Sequence, residues 1–330
     1  MIYYEWKGHA PVPSDRRKYG SSMRERAFIT GILGQDGSYL NEALMGAGVA
    51  TMGSDRMALF DGLSGVDRHP FDIGDSRQVR AWVADWKPTQ IYHLAAVHGS
   101  SEDCTEDAAD LFAQSLRVHA VGLANLLEAI RLEAPEARLV FAGSSRVFGA
   151  PVESPQTEKT PMRPISPYGI SKAAGVSICA HYRNEYGVHS SSAILYNHES
   201  PRRSANYVTQ KIVRAGVAIK RGKQRRLILG DLGARVDWAH AADYVDALRL
   251  IADVNSPGEF VVASGELNSV RDFGTHVFGC LGLDFDTYVE EDRKLIKSVE
   301  PQAELVGNSD KLKQMTGWKP KFTLQGLASD

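Results

Sequence analysis

Cysteine is scarce in this chain: three in 330 residues, Cys104, Cys179 and Cys280, far apart in sequence. No C-x-x-C pair and no Cys/His ligand spacing occurs, so a metal site is not expected. An odd, sparse count suits reduced thiols, and a cytoplasmic location is expected. An excess of one charge is also missing. The formal net charge of −2 gives no field for nucleic acid or an anionic membrane surface, so neither is expected as a partner. No apolar run is long enough for a membrane span. Residues 1–25 are polar and charged, lack the apolar stretch of a signal peptide, and read as an N-terminal arm with the character of a disordered segment. Internal repeats and low-complexity segments are absent.

What the chain does have is apolar content, 43% of its residues, enough for a large core. Short apolar runs alternate with amphipathic stretches. Ala27–Thr30, Val49–Gly53, Ile91–Ala95, Leu139–Gly143 and Ser192–Tyr196 read as strands. Ser38–Gly48, Gln78–Trp86, Ala108–Leu132 and Pro167–Tyr186 read as helices. The alternation predicts an α/β fold: a doubly wound parallel Rossmann sheet covered on both faces. After Asn197 the pattern loosens, with helices near Val208–Arg221 and Ala242–Ala252 and short strands near Leu227–Leu229 and Phe260–Ala263. Residues 26–196 are therefore expected to form mainly the dinucleotide-binding domain, and 197–330 mainly a smaller α/β substrate lobe. A basic run, Lys220 to Arg226, reads either as a solvated helix end or as an anion-binding rim.

The first strand runs into T-G-I-L-G-Q-D-G, with Gly31, Gly34 and Gly37 at three-residue spacing. Glycines permit a tight turn and let backbone amides approach a pyrophosphate at a helix N-terminus. Gln35 and Asp36 lie inside the turn and join its glycines as cofactor-binding candidates. The second strand ends with Asp55, placed to bind the adenosine ribose hydroxyls of NAD, followed by Arg56, placed to pair with the 2′-phosphate of NADP. Both cofactors stay open, with the carboxylate inclining the reading to NAD. Leu94, Ala95 and Ala96 supply small side chains at a strand end, where a cofactor can lie against the sheet edge.

P-Y-G-I-S-K puts Tyr168 and Lys172 four residues apart on one helix face. An ammonium beside a phenol favours the phenolate. Such a tyrosine exchanges a proton with a carbinol or ketone oxygen while hydride moves at the same carbon. Ser144, ending the preceding strand, is placed to hydrogen-bond that oxygen.

The glycine spacing, Ser144 and the Tyr-x-x-x-Lys pair resemble the extended short-chain dehydrogenase/reductase family. Within it, Y-N-H-E-S-P-R-R at 196–203, S-A-N-Y-V-T-Q-K-I at 204–212, G-Q-D-G-S-Y-L at 34–40 and D-W-A-H-A-A-D-Y-V at 237–245 resemble the GDP-mannose 4,6-dehydratases. The resemblance implies a nucleotide-sugar substrate, GDP-linked, and a homodimer or homotetramer. It implies an adenine-edge contact at Asp72 and Ile73, and substrate-binding roles for Ser145, Asn197, Glu199, Arg202, Val208, Lys211 and Arg235. It also implies a reaction in three steps. Hydride leaves sugar C4, water is lost across C5 and C6, and hydride returns to C6. The base for the C5 proton is a glutamate in a strand-end segment close to S-T-S-E-L-Y-G.

Here the chain departs from the family it resembles. Its segment reads G-S-S-R-V-F-G, residues 143–149, so Arg146 stands at the glutamate. A guanidinium stays protonated and cannot serve as a base. The family's R-D-W becomes Val236-Asp237-Trp238, with Arg235 one residue earlier, and an R-P pair becomes Glu300-Pro301. The loss of two arginines weakens a diphosphate clamp. Two enzymatic readings follow. One is the full dehydratase. The other keeps only hydride transfer, as a 4-dehydrogenase, 4-keto reductase or epimerase, with Arg146 binding a carboxylate, phosphate or keto oxygen. A tolerated loop substitution is the plainer account of Arg146. A non-enzymatic dinucleotide sensor is the remaining alternative, disfavoured by the intact Tyr168/Lys172 pair.

Overall fold

The computed structural model describes residues 25–55, 58–61, 65–97, 107–295 and 304–330. The expected N-terminal arm, Arg56 and Glu300-Pro301 lie outside them, apart from Glu25.

Thirteen strands are described: β1 Arg26–Thr30, β2 Ala50–Asp55, β3 Ala58–Asp61, β4 Gly65–Pro70, β5 Gln90–His93, β6 Arg138–Ala142, β7 Ser190–Leu195, β8 Asn197–Glu199, β9 Leu227–Leu229, β10 Arg235–His240, β11 Glu259–Val262, β12 Leu267–Ser269 and β13 Val289–Glu291. The central sheet runs β11-β7-β6-β5-β1-β2-β3-β4. Its first six strands are parallel, and β3 and β4 extend it as an antiparallel hairpin that the sequence pattern did not reveal. Strand order reverses between β1 and β5. In such sheets the crevice beyond the carboxyl ends at that point is where ligands bind.

The strands are buried because helices cover both faces. On one face, α1 (Gln35–Gly46) contributes Leu40 and Leu44 to a core with Ile29, Val140, Ile194 and Val261. On the other, α2 (Ser76–Trp86), α4 (Leu123–Glu133) and α5 (Pro167–Tyr186) pack Trp82, Leu126 and Val176 over Phe28, Leu139 and Phe141. The stretch 108–132, read as one long helix, is α3 (Ala108–Leu116) and α4 joined by a π-helical turn, Arg117–Gly122. Widened turns of this kind occur often at functional sites.

Helix α5 starts where its sequence says. Ser166 caps it by accepting the Gly169 N–H at 3.2 Å, and Pro167 occupies the first turn without losing a needed donor. It stops at Gly187, left-handed at φ 69°.

Beyond β7 the chain forms a second core, with Ile212, Trp238, Phe273 and Phe278, around the sheet β12-β10-β8, α6 (Val208–Lys220) and α8 (Val270–Cys280). It also returns to the first unit: β11 joins the central sheet, and α7 (Ala241–Asp253) packs against α1. Among the described residues, no helix is long and apolar enough to cross a membrane, and no group of three metal-ligating side chains occurs.

Candidate active site

Backbone approach shapes the turn after β1. Gly31 has φ 76°, and a Cβ there would stand 2.9 Å from the Ala95 amide nitrogen. A Cβ on Gly37 would lie 2.1 Å from the Gly31 carbonyl oxygen. Gly34, the N-cap of α1, brings no side chain to the helix's first amides. Glycine at 31 and 37 lets the turn press onto the Ala95 backbone and onto the Gly31 carbonyl, so α1 starts directly after β1 with no side chain at its N-cap, and bare amides at the positive end of a helix suit a dinucleotide diphosphate. Asp55 closes its rim, accepting the Leu33 N–H at 3.2 Å. Leu94 and Ala95 run past Gly31 half-buried, and Ala96 is exposed. Asp72 pairs with Arg117 and accepts the Gly74 N–H at 2.8 Å. Ile73 lies against Gly122, where a Cβ would come within 2.7 Å of it.

Ser144 follows β6. Its Oγ accepts the Arg146 N–H at 3.2 Å, and its side chain lies beside the Tyr168 phenol, close enough to lower it. One turn along α5, the Lys172 side chain is buried. Its Nζ donates to the Ala142 carbonyl at 2.7 Å and stands 5.7 Å from the Tyr168 ring centroid. Burial pushes the Tyr168 phenol up to about 12, and the Ser144 hydrogen bond offsets this only in part. Burial also pushes the Lys172 amine down to about 7. The expectation that Lys172 lowers the phenol is thus corrected. Its amine is turned to a main-chain carbonyl, and desolvation dominates at both groups.

Arg146 occupies a short 3-10 turn, Ser145–Val147, exposed, while Ser145 beside it is buried. Its backbone is held against α5: a Cβ on Gly169 would meet the Arg146 carbonyl oxygen at 2.6 Å. No carboxylate among the described residues pairs with its guanidinium.

The family model described as GDP-mannose 4,6 dehydratase matches residues 28–330. The chain belongs to the GDP-mannose 4,6-dehydratase family. GDP-mannose 4,6 dehydratase 2 of Arabidopsis thaliana is 38% identical over 328 residues, covering 92% of this chain and 85% of that one. GDP-mannose 4,6-dehydratase of Vibrio cholerae is 34% identical, covering 93% of each. Among solved structures, RMD from Pseudomonas aeruginosa complexed with NADPH shares the fold with a TM-score of 0.75 at 23% identity, covering 92% of this chain and 97% of that one. Thermus thermophilus UDP-glucose 4-epimerase, solved with NAD, has a TM-score of 0.73 at 26% identity, covering 92% and 96%.

The family's signature segment, 197–211, forms a seam with α1. His198 Nε2 lies 2.9 Å from Asp36 Oδ2, and its Nδ1 lies 2.7 Å from the Tyr196 carbonyl. Both ring nitrogens face acceptors, an arrangement that suits an imidazolium. Burial opposes charge at both groups. Even so, their mutual attraction holds Asp36 below the usual carboxylate range and His198 above the usual imidazole value. Gln35 donates to Asp36 Oδ1 and to the His198 carbonyl, each at 3.2 Å, and accepts from Ser200 Oγ at 2.9 Å. Arg202 donates to Ser38 at 2.9 Å and Glu42 at 2.8 Å, with its guanidinium 3.8 Å over Tyr39. Glu199 is buried, accepts from Thr209 at 2.7 Å and sits 3.4 Å from Arg203 Nε; burial raises its carboxyl.

Several residues expected at ligands therefore hold the protein's own parts together. Asn197 is exposed at the start of β8, Val208 and Lys211 are half-buried on α6, and Arg235 forms an exposed pair with Glu304 at 3.3 Å. In the basic run, Arg226 pairs with Glu290 at 2.7 Å, both exposed. The sequence pattern does not single out His93, His119 and Ser171, which link the segment after β5 to the start of α5. An imidazole within an apolar helical stretch was the available signal.

Proposed function

We propose that this chain moves a hydride at a carbinol or ketone carbon of a nucleotide-linked sugar, C4 by resemblance, without eliminating water. The observation that carries it is Ser144 beside the Tyr168 phenol with Lys172 Nζ 5.7 Å from the tyrosine ring, two strands over from the glycine turn. Gly31, Gly34 and Gly37 would hold the diphosphate of NAD or NADP, and Asp55 the adenosine ribose. A bound nicotinamide supplies the acceptor and donor of hydride. In oxidation, Tyr168 takes the carbinol proton as phenolate; in ketone reduction it returns that proton as phenol. Ser144 holds the reacting oxygen. With its phenol at about 12, Tyr168 carries its proton at neutral pH and is set as an acid.

Arg146 supports the loss of elimination, since a guanidinium offers no base for a C5 proton. The half-buried Asp36 and the buried Glu199 are engaged by His198 and by Thr209 and Arg203. The guanidinium is suited instead to an anionic or keto oxygen of the sugar. Membership of the family favours a second reading, the complete dehydratase cycle. Incubation with NAD or NADP and GDP-hexoses separates the two. Wild type should change nicotinamide absorbance or epimerise the sugar, and Arg146→Glu should gain water loss. Water loss by wild type would defeat the first reading.

A further inference from the structure

We propose that His119 is a positioning residue for Tyr168, transmitting the placement of the cofactor-side loop 94–97 to the catalytic tyrosine. This rests on the hydride-transfer reading above. His119 lies in the π-helical turn Arg117–Gly122 and is fully buried. The Val97 N–H donates to its Nε2 at 3.2 Å, so in the neutral ring that nitrogen is bare and the proton sits on Nδ1. Nδ1 lies 2.8 Å from Ser171 Oγ and donates to it. The serine hydroxyl then donates to the Tyr168 carbonyl at 2.9 Å. The chain of donors has one direction, from the loop amide through the imidazole and the hydroxyl to the tyrosine main chain. The same imidazole also meets the tyrosine side chain: the two rings stand at 89° with centroids 5.4 Å apart. One side chain thus fixes both the backbone and the ring of Tyr168.

The turn that carries His119 is itself braced. His93 Nε2 donates to the Val118 carbonyl at 3.0 Å, and its Nδ1 accepts from Thr30 Oγ1 at 2.7 Å. Thr30 Oγ1 accepts the Ala95 N–H at 3.1 Å. The loop flanking Gly31 is therefore tied to the widened turn at Ala95 and again at Val97. Helix α5 is pressed onto this turn at Gly175, where a Cβ would come 2.9 Å from the His119 carbonyl. Any displacement of the loop reaches Tyr168 through rigid contacts rather than through a flexible linker.

The test has two arms. Long-range nitrogen–proton correlation on isotope-labelled histidine in the full chain reads the His119 ring directly and needs no substrate. The expected result is a neutral ring with a protonated Nδ1 and a bare Nε2, perturbed by Ser171→Ala. The opposite tautomer, or no response to Ser171→Ala, overturns the proposal. The second arm compares His119→Asn with wild type in hydride transfer from GDP-hexoses. Misplacement of a reacting group by about 1 Å costs roughly a hundredfold, so kcat should fall about ten- to a hundredfold while KM and NADH affinity stay within about twofold. Ser171→Ala should show a smaller loss in kcat and add nothing to His119→Asn. A loss confined to KM, or to thermal stability, also overturns the proposal. If wild type moves no hydride on any GDP-hexose, the hydride reading fails, and the tautomer arm alone decides the positioning chain.

Discussion

The catalytic wall and the seam beside it use polar residues in opposite ways. The wall, formed by β6 and α5, holds the Lys172 amine on a main-chain carbonyl rather than on a carboxylate, with Tyr168 beside Ser144. Desolvation there drives the phenol and the amine away from charge. The seam, formed by α1 and residues 197–211, sets Asp36 against His198 as an ion pair. The attraction between Asp36 and His198 favours the charged form of each against the cost of burial. Strained protonation states suit chemistry, and mutually satisfied ones suit architecture. The nearness of a polar residue to the crevice does not tell which of the two it serves.

The sharpest way to test this contrast is at the wall. Tyr168→Phe removes only a hydroxyl and should lower hydride transfer by about 10²- to 10⁴-fold with little change in unfolding midpoint. A variant with wild-type turnover would end the proposed site. At the seam the balance should invert. Asp36→Asn or His198→Ala leaves one half of a half-buried pair alone and should cost about 1–3 kcal/mol in denaturant-induced unfolding. The pair's contribution has a defined pH window. His198 is raised, so its share is complete below about 6.5 and is lost as pH climbs through its folded value. Asp36 is lowered, so its share is lost on acidification below about 3.8. Melting curves of wild type and His198→Gln should converge as pH rises above neutrality.

Lys172 sharpens the comparison from the wall side. Its amine titrates near 7 when folded and near 10.5 when free. Below pH 7 folding must bury an ammonium, so Lys172→Met should stabilise the fold most there. The gain should fade as pH rises towards 10.5, even as hydride transfer is lost at every pH. The smallest effect is expected at Arg202→Ala. Its exposed pair with Glu42 is worth about 0.5 kcal/mol, a shift at the edge of what thermal melting resolves.

Much of the wall was legible in the sequence because local rules determine it. Apolar runs of strand length, Ser166-Pro167 at a helix start, Gly187 at its end and the i, i+4 spacing of Tyr168 and Lys172 are each short-range signals. The seam was not legible. N-H-E-S-P-R-R is recognisable as a segment, but Asp36 and His198 are 162 residues apart. Nothing local distinguishes a carboxylate that binds ligand from one that binds an imidazole. The β3–β4 hairpin failed for a related reason: Ala58–Asp61 is short, lacks alternation and gains its strand character from pairing with β2. The π-helical turn was hidden because an apolar period of 3.6 averages over one widened turn.

The direct test of the central claim, hydride transfer without dehydration, is the mass of the product formed by the wild-type chain from GDP-mannose and other GDP-hexoses with NAD or NADP. The account predicts a nucleotide sugar of unchanged mass or one differing by two hydrogens. A product lighter by one water, formed by wild type and lost in Tyr168→Phe, would contradict it.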